Sequence, residues 1–257
     1  MKTIHFCFIF LFFIFWSCST MYIPPPKNIP LFDEKGEVQI EIGASTNSLY
    51  LTGSYAFSEK YALIANGSMS YPGLFKYSNY GNFILDYLLE GPIPYRSFEA
   101  GIGRYNLFSS SSGKILEVFV GAEYGLAYNL FERDDKINHL QGFVQVNTGK
   151  KINNFEIGWS LCVAYSSFHS QDVYYKSVFE KRNFIENRRF IDHLYFQVFH
   201  LEPLFFSKFG GERLQGFLRC GFNLTFPTTN PSLITTVGVE KGYTLIHLSM
   251  GLSYRFF

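Results

Sequence analysis

The last residues of the chain alternate strictly between apolar and polar side chains. Successive side chains of a β-strand point to opposite faces, so a strand over 243–257 would have one apolar and one polar face. Hydrocarbon on one side and a polar barrel interior on the other would match both faces. The apolar set is Ile246, Leu248, Met250, Leu252, Tyr254 and Phe256, and the other is His247, Ser249, Gly251, Ser253 and Arg255.

The same period-2 pattern recurs along most of the chain and predicts ten strands. Each is close to the roughly 9–11 residues that a tilted strand needs to cross a bilayer. The eighth strand alternates poorly. Residues 83–89 also alternate, but we interpret them as part of a loop. The predicted strands are 36–45, 48–57, 60–70, 96–106, 114–127, 138–149, 154–166, 192–202, 212–225 and 243–257.

The connections between these strands sort by length. The long ones, 71–95, 128–137, 167–191 and 226–242, would all lie on one side. The short ones, near 58–59, 107–113, 150–153 and 203–211, would lie on the other. Bacterial outer-membrane barrels have an even strand number and the same sorting of loops. We therefore predict an all-β, transmembrane, antiparallel up-and-down barrel of about ten strands (8–12). The alternative is a soluble sandwich or lipocalin-like barrel with its apolar face inward.

Composition agrees with a membrane location. Hydrophobic residues make up 47% of the chain and aromatic residues 19%, whereas charged residues make up only 17%. Soluble domains usually carry more charge. The net charge of +1 gives no basic surface that would suggest nucleic-acid binding.

The N-terminus resembles an export signal. Residues 6–16 are an unbroken apolar run after Lys2, too short for a comfortable transmembrane helix. Ser17-Cys18 resembles a lipoprotein processing site, which predicts a signal peptide over 1–17 and a lipidated Cys18. The alternative is an ordinary signal cut nearby that leaves a free thiol. Residues 18–35, with four prolines, would form a tether before a barrel over 36–257.

Three segments resemble small outer-membrane β-barrel proteins and lipoproteins of the Bacteroidota, a porin-like group. They are NIPLFDEKGEVQIEIGAS, FVQVNTGKKINNFEIGWSLCVAYSSF, and LEP followed by LQGFLRCGFNLTF. The terminal Phe257 resembles the aromatic end that the barrel assembly machinery reads. The resemblance implies an outer-membrane location in a Gram-negative bacterium. Exported surface lipoproteins of that phylum carry an acidic run after the cysteine, which Cys18 lacks, so we expect the tether on the periplasmic side.

Charged residues on the polar faces would meet inside the barrel. Opposite charges there should pair, because an unpaired buried charge is costly. We predict a structural ion-pair network, with a narrow pore as the alternative. No spacing suggests a metal site, and we expect no cofactor. The network residues are Glu41, Glu99, Glu117, Glu123, Glu156, Arg219 and Arg255.

His247 and Ser249 share one strand face and resemble the His-x-Ser of outer-membrane lipid A deacylases. Those enzymes place an acidic residue after the serine, and none follows Ser249 here. Their pair also faces lipid, whereas this pair shares its face with Arg255. We therefore assign no catalytic residue and predict a protein that is not an enzyme, with deacylase-like activity as the remaining alternative.

The functional prediction is a non-enzymatic structural or accessory component of the cell envelope or of a larger outer-membrane complex. Its alternative is a narrow channel for ions or small solutes. The expected partners are outer-membrane lipid and lipopolysaccharide, the barrel assembly machinery and a possible protein of the same complex. Loop 167–191 contains several lysines and arginines and would be solvated or bind anionic lipopolysaccharide. The alternative is a docking site for a protein or glycan.

Overall fold

A computed structural model describes residues 25–45, 48–70, 95–107, 114–128, 136–176, 188–228 and 244–257. Ten strands in these residues form one closed antiparallel barrel in which each strand pairs with its chain neighbours and the last with the first. In the same residues, no helix has the length and apolarity to cross a membrane. The strands are β1 (Val38–Ser45), β2 (Ser48–Tyr55), β3 (Tyr61–Ser70), β4 (Tyr95–Arg104), β5 (Lys114–Tyr128), β6 (Lys136–Ile152), β7 (Phe155–Lys176), β8 (Arg188–Gly210), β9 (Leu214–Pro227) and β10 (Thr244–Phe256).

Closure is made by the first and last strands. Val38 of β1 pairs with Phe256 of β10, and the register continues to Ser45 and Ser249. Closure leaves no open sheet edge, which a barrel in hydrocarbon needs because lipid cannot bind free N–H and C=O groups. The first residue of β1 and the last residue of β10 lie at the end of the barrel where the short connections are found. We call this end, with connections 56–60, 105–113, 153–154 and 211–213, the turn end, and the opposite one the loop end.

The outer wall is apolar and the interior is polar. Large apolar side chains such as Ile42, Phe98 and Met250 are about 60% exposed on the outside, whereas Glu41, Glu117 and other polar residues are fully buried inside. This arrangement confirms the predicted transmembrane up-and-down barrel. It excludes the soluble barrel, whose apolar face would be inside.

The eighth strand is longer than predicted. β8 continues to Gly210, through most of the predicted connection 203–211, and the turn is reduced to 211–213. Its alternation was poor because Val198, Leu204 and Phe206 face the interior, where polar residues were expected. The apolar interior positions of β8 therefore have to pack against something inside the barrel.

The predicted loop 167–191 is also partly strand. β7 continues to Lys176 and β8 begins at Arg188, and the two pair at their ends. Only residues 177–187 connect them, and these lie outside the described residues, as does the segment 83–89. The predicted solvated loop is therefore reduced to about half of its length.

Aromatic rings on the interior face lie flat over glycines of neighbouring strands. A Cβ at Gly158 would lie 2.8 Å from the ring of Phe206, and one at Gly251 would lie 2.7 Å from the ring of Phe217. A Cβ at Gly121 would likewise lie 2.5 Å from the ring of Phe143. Because these rings lie along the wall, they leave room along the barrel axis.

Candidate functional site in the barrel lumen

Residues 25–32 occupy the axis of the barrel, and we call them the plug segment. All eight are buried, and Ile29, Leu31 and Phe32 have no exposed surface. Residues 33–37 connect the segment to β1, which begins at the turn end, so the segment enters the lumen from that end. The prediction of a solvated tether over 18–35 is therefore wrong for residues 25–32, which lie inside the barrel, whereas residues 33–35 are exposed.

Side chains of the wall bind the backbone of the plug segment. A buried backbone N–H or C=O group without a partner is costly, and an extended segment on the axis cannot pair within itself. Polar wall residues from five strands supply those partners. Asn66 donates to the carbonyl oxygen of Pro26 at 2.6 Å, Arg219 to Lys27 at 3.0 Å, Gln145 to Asn28 at 2.7 Å and Lys208 to Ile29 at 2.6 Å, while Glu117 accepts from the Phe32 N–H at 2.8 Å.

The apolar side chains of the plug segment complete two small cores. Ile29 and Leu31 pack with Leu204 and Phe206 of β8, which explains the apolar interior positions of that strand. Phe32 packs against Tyr105 with ring centroids 5.4 Å apart. The φ of Leu31 is +53°, a conformation that leucine rarely adopts. The surrounding packing therefore has to hold this bend in place.

Lys27 is the charged residue of the plug segment. Its Nζ lies 2.8 Å from Glu99 and 3.5 Å from Glu202, and the ammonium group also lies 5.2 Å from the ring centroid of Phe143. The lysine and Glu99 are almost fully buried. The plug segment thus contributes a cation to a carboxylate cluster in the middle of the lumen.

The structure brings together most of the residues predicted for the interior network. Glu41 lies 2.5 Å from Arg219 and 2.9 Å from Lys208, a residue that we had not predicted. Arg255 lies 3.1 Å from Glu156 and 2.7 Å from Glu37, also not predicted. These two groups join β1, β10, β9, β8 and β7, which are successive neighbours on one side of the barrel.

Three predicted carboxylates lie apart from the arginines, and one of them, Glu99, pairs with Lys27. Glu117 accepts from the Asn147 amide at 3.1 Å and from the plug segment, so it binds N–H groups and not a guanidinium. Glu123 lies in the loop-end half, where its Oε1 is 3.2 Å from His139 Nε2 and accepts from the Tyr95 hydroxyl at 2.7 Å. The predicted set is therefore spread over several separate clusters.

His139 is held firmly in this cluster. Its ring stacks between Tyr95 and Phe168, with centroids 5.6 and 5.3 Å away. Gln141 donates to the second oxygen of Glu123 at 3.1 Å. An imidazole fixed by a carboxylate and two rings has a defined orientation, which suits either a structural contact or a general base.

His247 and Ser249 both face the lumen. They are 5% and 4% exposed, and their strand neighbours Leu248 and Met250 face outward. The pair therefore does not meet lipid, as a lipid A deacylase pair must. In the described part of the chain, no group of three or more His, Cys, Asp or Glu side chains could hold a metal ion.

At the turn end, charged groups close the lumen below the plug segment. Lys151 forms an ion pair with Asp33, and the Asp33 N–H donates to Glu37 at 3.0 Å. Burial raises the pKa of Glu37, although Arg255 opposes the shift. Phe257 is 62% exposed at the same end. Cys18 lies outside the described residues.

The plug segment, Lys27, Lys208 and Glu202 were not predicted from the sequence. Glu202 is the last residue of the predicted eighth strand, and Lys208 lies in the predicted connection that follows it, whereas both belong to the observed β8. The sequence signal for the plug segment is the apolar run Ile29-Pro30-Leu31-Phe32 inside the predicted tether. Four consecutive apolar residues indicate burial, because exposing them to water is unfavourable.

No protein-family model matches the chain, and no curated protein matches it. Solved outer-membrane proteins do match in fold. The outer-membrane protease OmpT of Escherichia coli is 9% identical, with 86% of this chain and 92% of that chain covered and a TM-score of 0.43. The copper transporter OprC is 11% identical over 88% of this chain and 43% of its own, with a TM-score of 0.25. OmpT of Vibrio cholerae, an outer-membrane protein, is 9% identical, with 89% of this chain and 100% of that chain covered and a TM-score of 0.19.

The apolar outer wall and the polar lumen are those of a membrane-spanning barrel, which is the fold that this chain shares with these outer-membrane proteins. The predicted non-enzymatic structural or accessory role is wrong on this comparison, because the chain of a protease matches along 86% of this barrel. The predicted alternative, a narrow channel, gains no support from the comparison either. At 9–11% identity and TM-scores of 0.43 and below, the likeness concerns the fold and assigns no activity.

Proposed function

We propose that this chain is an outer-membrane barrel that is closed by its own plug segment and that binds outer-membrane lipid on its outer wall. The observation that carries the proposal is the buried course of residues 25–32, bound by wall side chains along its backbone. A lumen filled in this way by the described residues should block the passage of water and ions. A small barrel of this size is also narrow to begin with.

Conductance in planar bilayers tests the closed lumen. The wild-type protein should give no steady current, and a chain lacking residues 19–32 should conduct if it assembles. Heat-modifiable migration on SDS gels reports whether each barrel is folded. A steady, voltage-stable current through the folded wild type would contradict the proposal.

Lipid binding is supported by a groove in the outer wall. The groove has a volume of about 650 Å³, which lies within the range of ligand sites in proteins. Its walls include Phe205, Leu218, Leu248 and Met250, all about half-exposed on the outer face. Small side chains at Ala44 and Ser207 leave the space between them. An acyl chain is the ligand that a mainly apolar groove in hydrocarbon would hold.

Native mass spectrometry of the detergent-extracted protein tests the groove. Ser207→Phe should fill it and reduce the lipid retained by the protein. Ala100→Phe adds the same ring to an exposed position on the outer wall far from the groove, and is the matched control. Equal lipid retention by the two variants would exclude the groove as a binding site.

We also propose that Cys18 is lipidated, that the barrel assembly machinery inserts the chain through Phe257, and that lipopolysaccharide contacts the loop end. The Ser17-Cys18 sequence and the likeness to barrels of the Bacteroidota support these steps. Labelling with a palmitate analogue in cells should mark the wild type and not Cys18→Ala. An unlabelled wild type would contradict lipidation and leave the closed lumen untouched.

A second candidate function is hydrolysis in the loop-end half of the lumen. The contact of His139 with Glu123 favours it, because a carboxylate that orients an imidazole prepares a general base. Purified protein would be assayed with fluorogenic peptides and esters. Activity should be lost in His139→Gln and Glu123→Gln and kept in His169→Gln, which changes an exposed histidine. Absence of activity in the folded wild type would exclude this candidate.

A further inference from the structure

The contacts of the plug segment show in which direction it runs along the barrel axis, and this direction bears on where the N-terminus emerges. Asp33 lies at the turn end, where it pairs with Lys151 next to the end of β6. Phe32 meets Glu117, the fourth residue of β5. Lys27 and Pro26 meet Arg219 and Asn66, each five residues beyond the first residue of its strand. Read from Asp33 back to Pro26, the chain therefore climbs away from the turn end.

The height reached can be worked out from the strand geometry. A strand rises about 3.3 Å per residue and is tilted by about 40° in such barrels, so each residue gains about 2.5 Å of height. Lys27 also meets Glu202, eight residues before the turn end of β8. Contacts five to eight residues above the turn end correspond to about 13–20 Å of height. The hydrocarbon core is about 30 Å thick, so Lys27 lies near its middle.

The chain before Pro25 cannot return the way it came. Below Lys27, the lumen is filled by Ile29, Leu31 and Phe32 packed against Phe119 and Phe206, all without exposed surface. A second pass of backbone through this level would have to displace that packing. The loop-end opening is about 10–17 Å away. The seven residue steps from Cys18 to Pro25 can span about 24 Å when extended.

We propose that the plug segment threads the barrel completely, so that Cys18 emerges at the loop end. Outer-membrane barrels have short periplasmic turns and long extracellular loops, which makes the loop end the cell surface. A lipidated Cys18 would then be held by the outer leaflet, facing away from the periplasm where we first expected it. This inference rests on the plug segment of the proposed function, but it does not require that Cys18 carries lipid.

Cysteine labelling of intact cells tests the direction of threading. Thr20→Cys reports the N-terminus, Thr228→Cys reports the loop end beyond β9, and Glu59→Cys reports the turn between β2 and β3. The reagent is a maleimide linked to a polyethylene glycol chain too large to pass porins. The parent chain is the background control, because Cys162 is buried and Cys220 faces the outside of the wall within the barrel's apolar surface.

Thr20→Cys and Thr228→Cys should react equally in intact cells, and Glu59→Cys only after the outer membrane is permeabilised. Labelling of Thr20→Cys only after permeabilisation, or only after unfolding, would overturn the inference. Heat-modifiable migration is checked for each variant, and a variant that fails to fold is replaced by Ser19→Cys. A conducting wild type would contradict the closed lumen, whereas surface labelling of Thr20→Cys would still establish the direction. Labelling of the parent at Cys18 in intact cells would contradict lipidation and support threading.

Discussion

Replacing Lys208 by methionine should weaken the barrel at the point where the wall holds the plug segment. Lys208 is fully buried, lies 2.9 Å from Glu41 and donates to the Ile29 carbonyl oxygen at 2.6 Å. Methionine keeps most of the volume and removes both contacts. Removing one partner of a buried ion pair costs about 3–5 kcal/mol, and an orphaned carbonyl group costs about 1–3 kcal/mol. Glu41 retains Arg219 at 2.5 Å, so we expect a loss near the lower end, about 3 kcal/mol in the free energy of unfolding.

Urea titration of the barrel refolded in lipid vesicles, followed by tryptophan fluorescence, measures this loss. Lys150→Met removes an exposed lysine near the turn end and is the matched control, expected to change the free energy by less than about 0.5 kcal/mol. A protease added from outside should also cut the plug segment faster in Lys208→Met. Equal unfolding midpoints for the two variants would show that Lys208 does not couple the wall to the plug segment, and would refute the reasoning.

Two further pairs of variants test the packing of the lumen, and one deletion tests the assembly signal. Gly158→Ala puts a Cβ 2.6 Å from the backbone of Gly149 and should abolish the heat-modifiable band on gels, whereas Gly142→Ala, with no atom within 4 Å, should not. Phe206→Ala leaves a cavity and should lower the free energy of unfolding by about 3–5 kcal/mol. Phe205→Ala should cost less in the same urea titration, because lipid fills the space outside the wall. Deletion of Phe257 should slow insertion in cells, seen by pulse-chase on gels, and leave refolding in vitro unchanged; slowing in both would assign Phe257 to stability.

The barrel could be predicted from the sequence because its two environments differ sharply. Hydrocarbon outside and polar groups inside impose a period of two, and β10 follows it from one end to the other. The partners Glu41 and Arg219 could be placed on one face for the same reason. Their contact with Lys208 could not, because Lys208 lay in a segment whose alternation fails.

The rest could not be predicted because the plug segment turns the interior into a third environment. Leu204 and Phe206 face inward and violate the rule that lumen residues are polar. They do so because Ile29 and Leu31 bury against them. The plug segment itself has no periodicity, since its backbone is bound by side chains and not by a neighbouring strand. A pattern search that assumes two environments cannot find a segment that lies in neither.

Charge gives an independent reason why wall and plug segment belong to one folding unit. In the middle of the described lumen, Glu99 and Glu202 come from β4 and β8 and meet Lys27 between them. The wall without the plug segment would hold these two carboxylates close together and without the cation that both of them face, which is unfavourable even in a lumen that water has entered. We therefore expect the plug segment to stabilise the closed wall, so that a chain lacking residues 19–32 unfolds at a lower urea concentration than the wild type even where it forms a barrel.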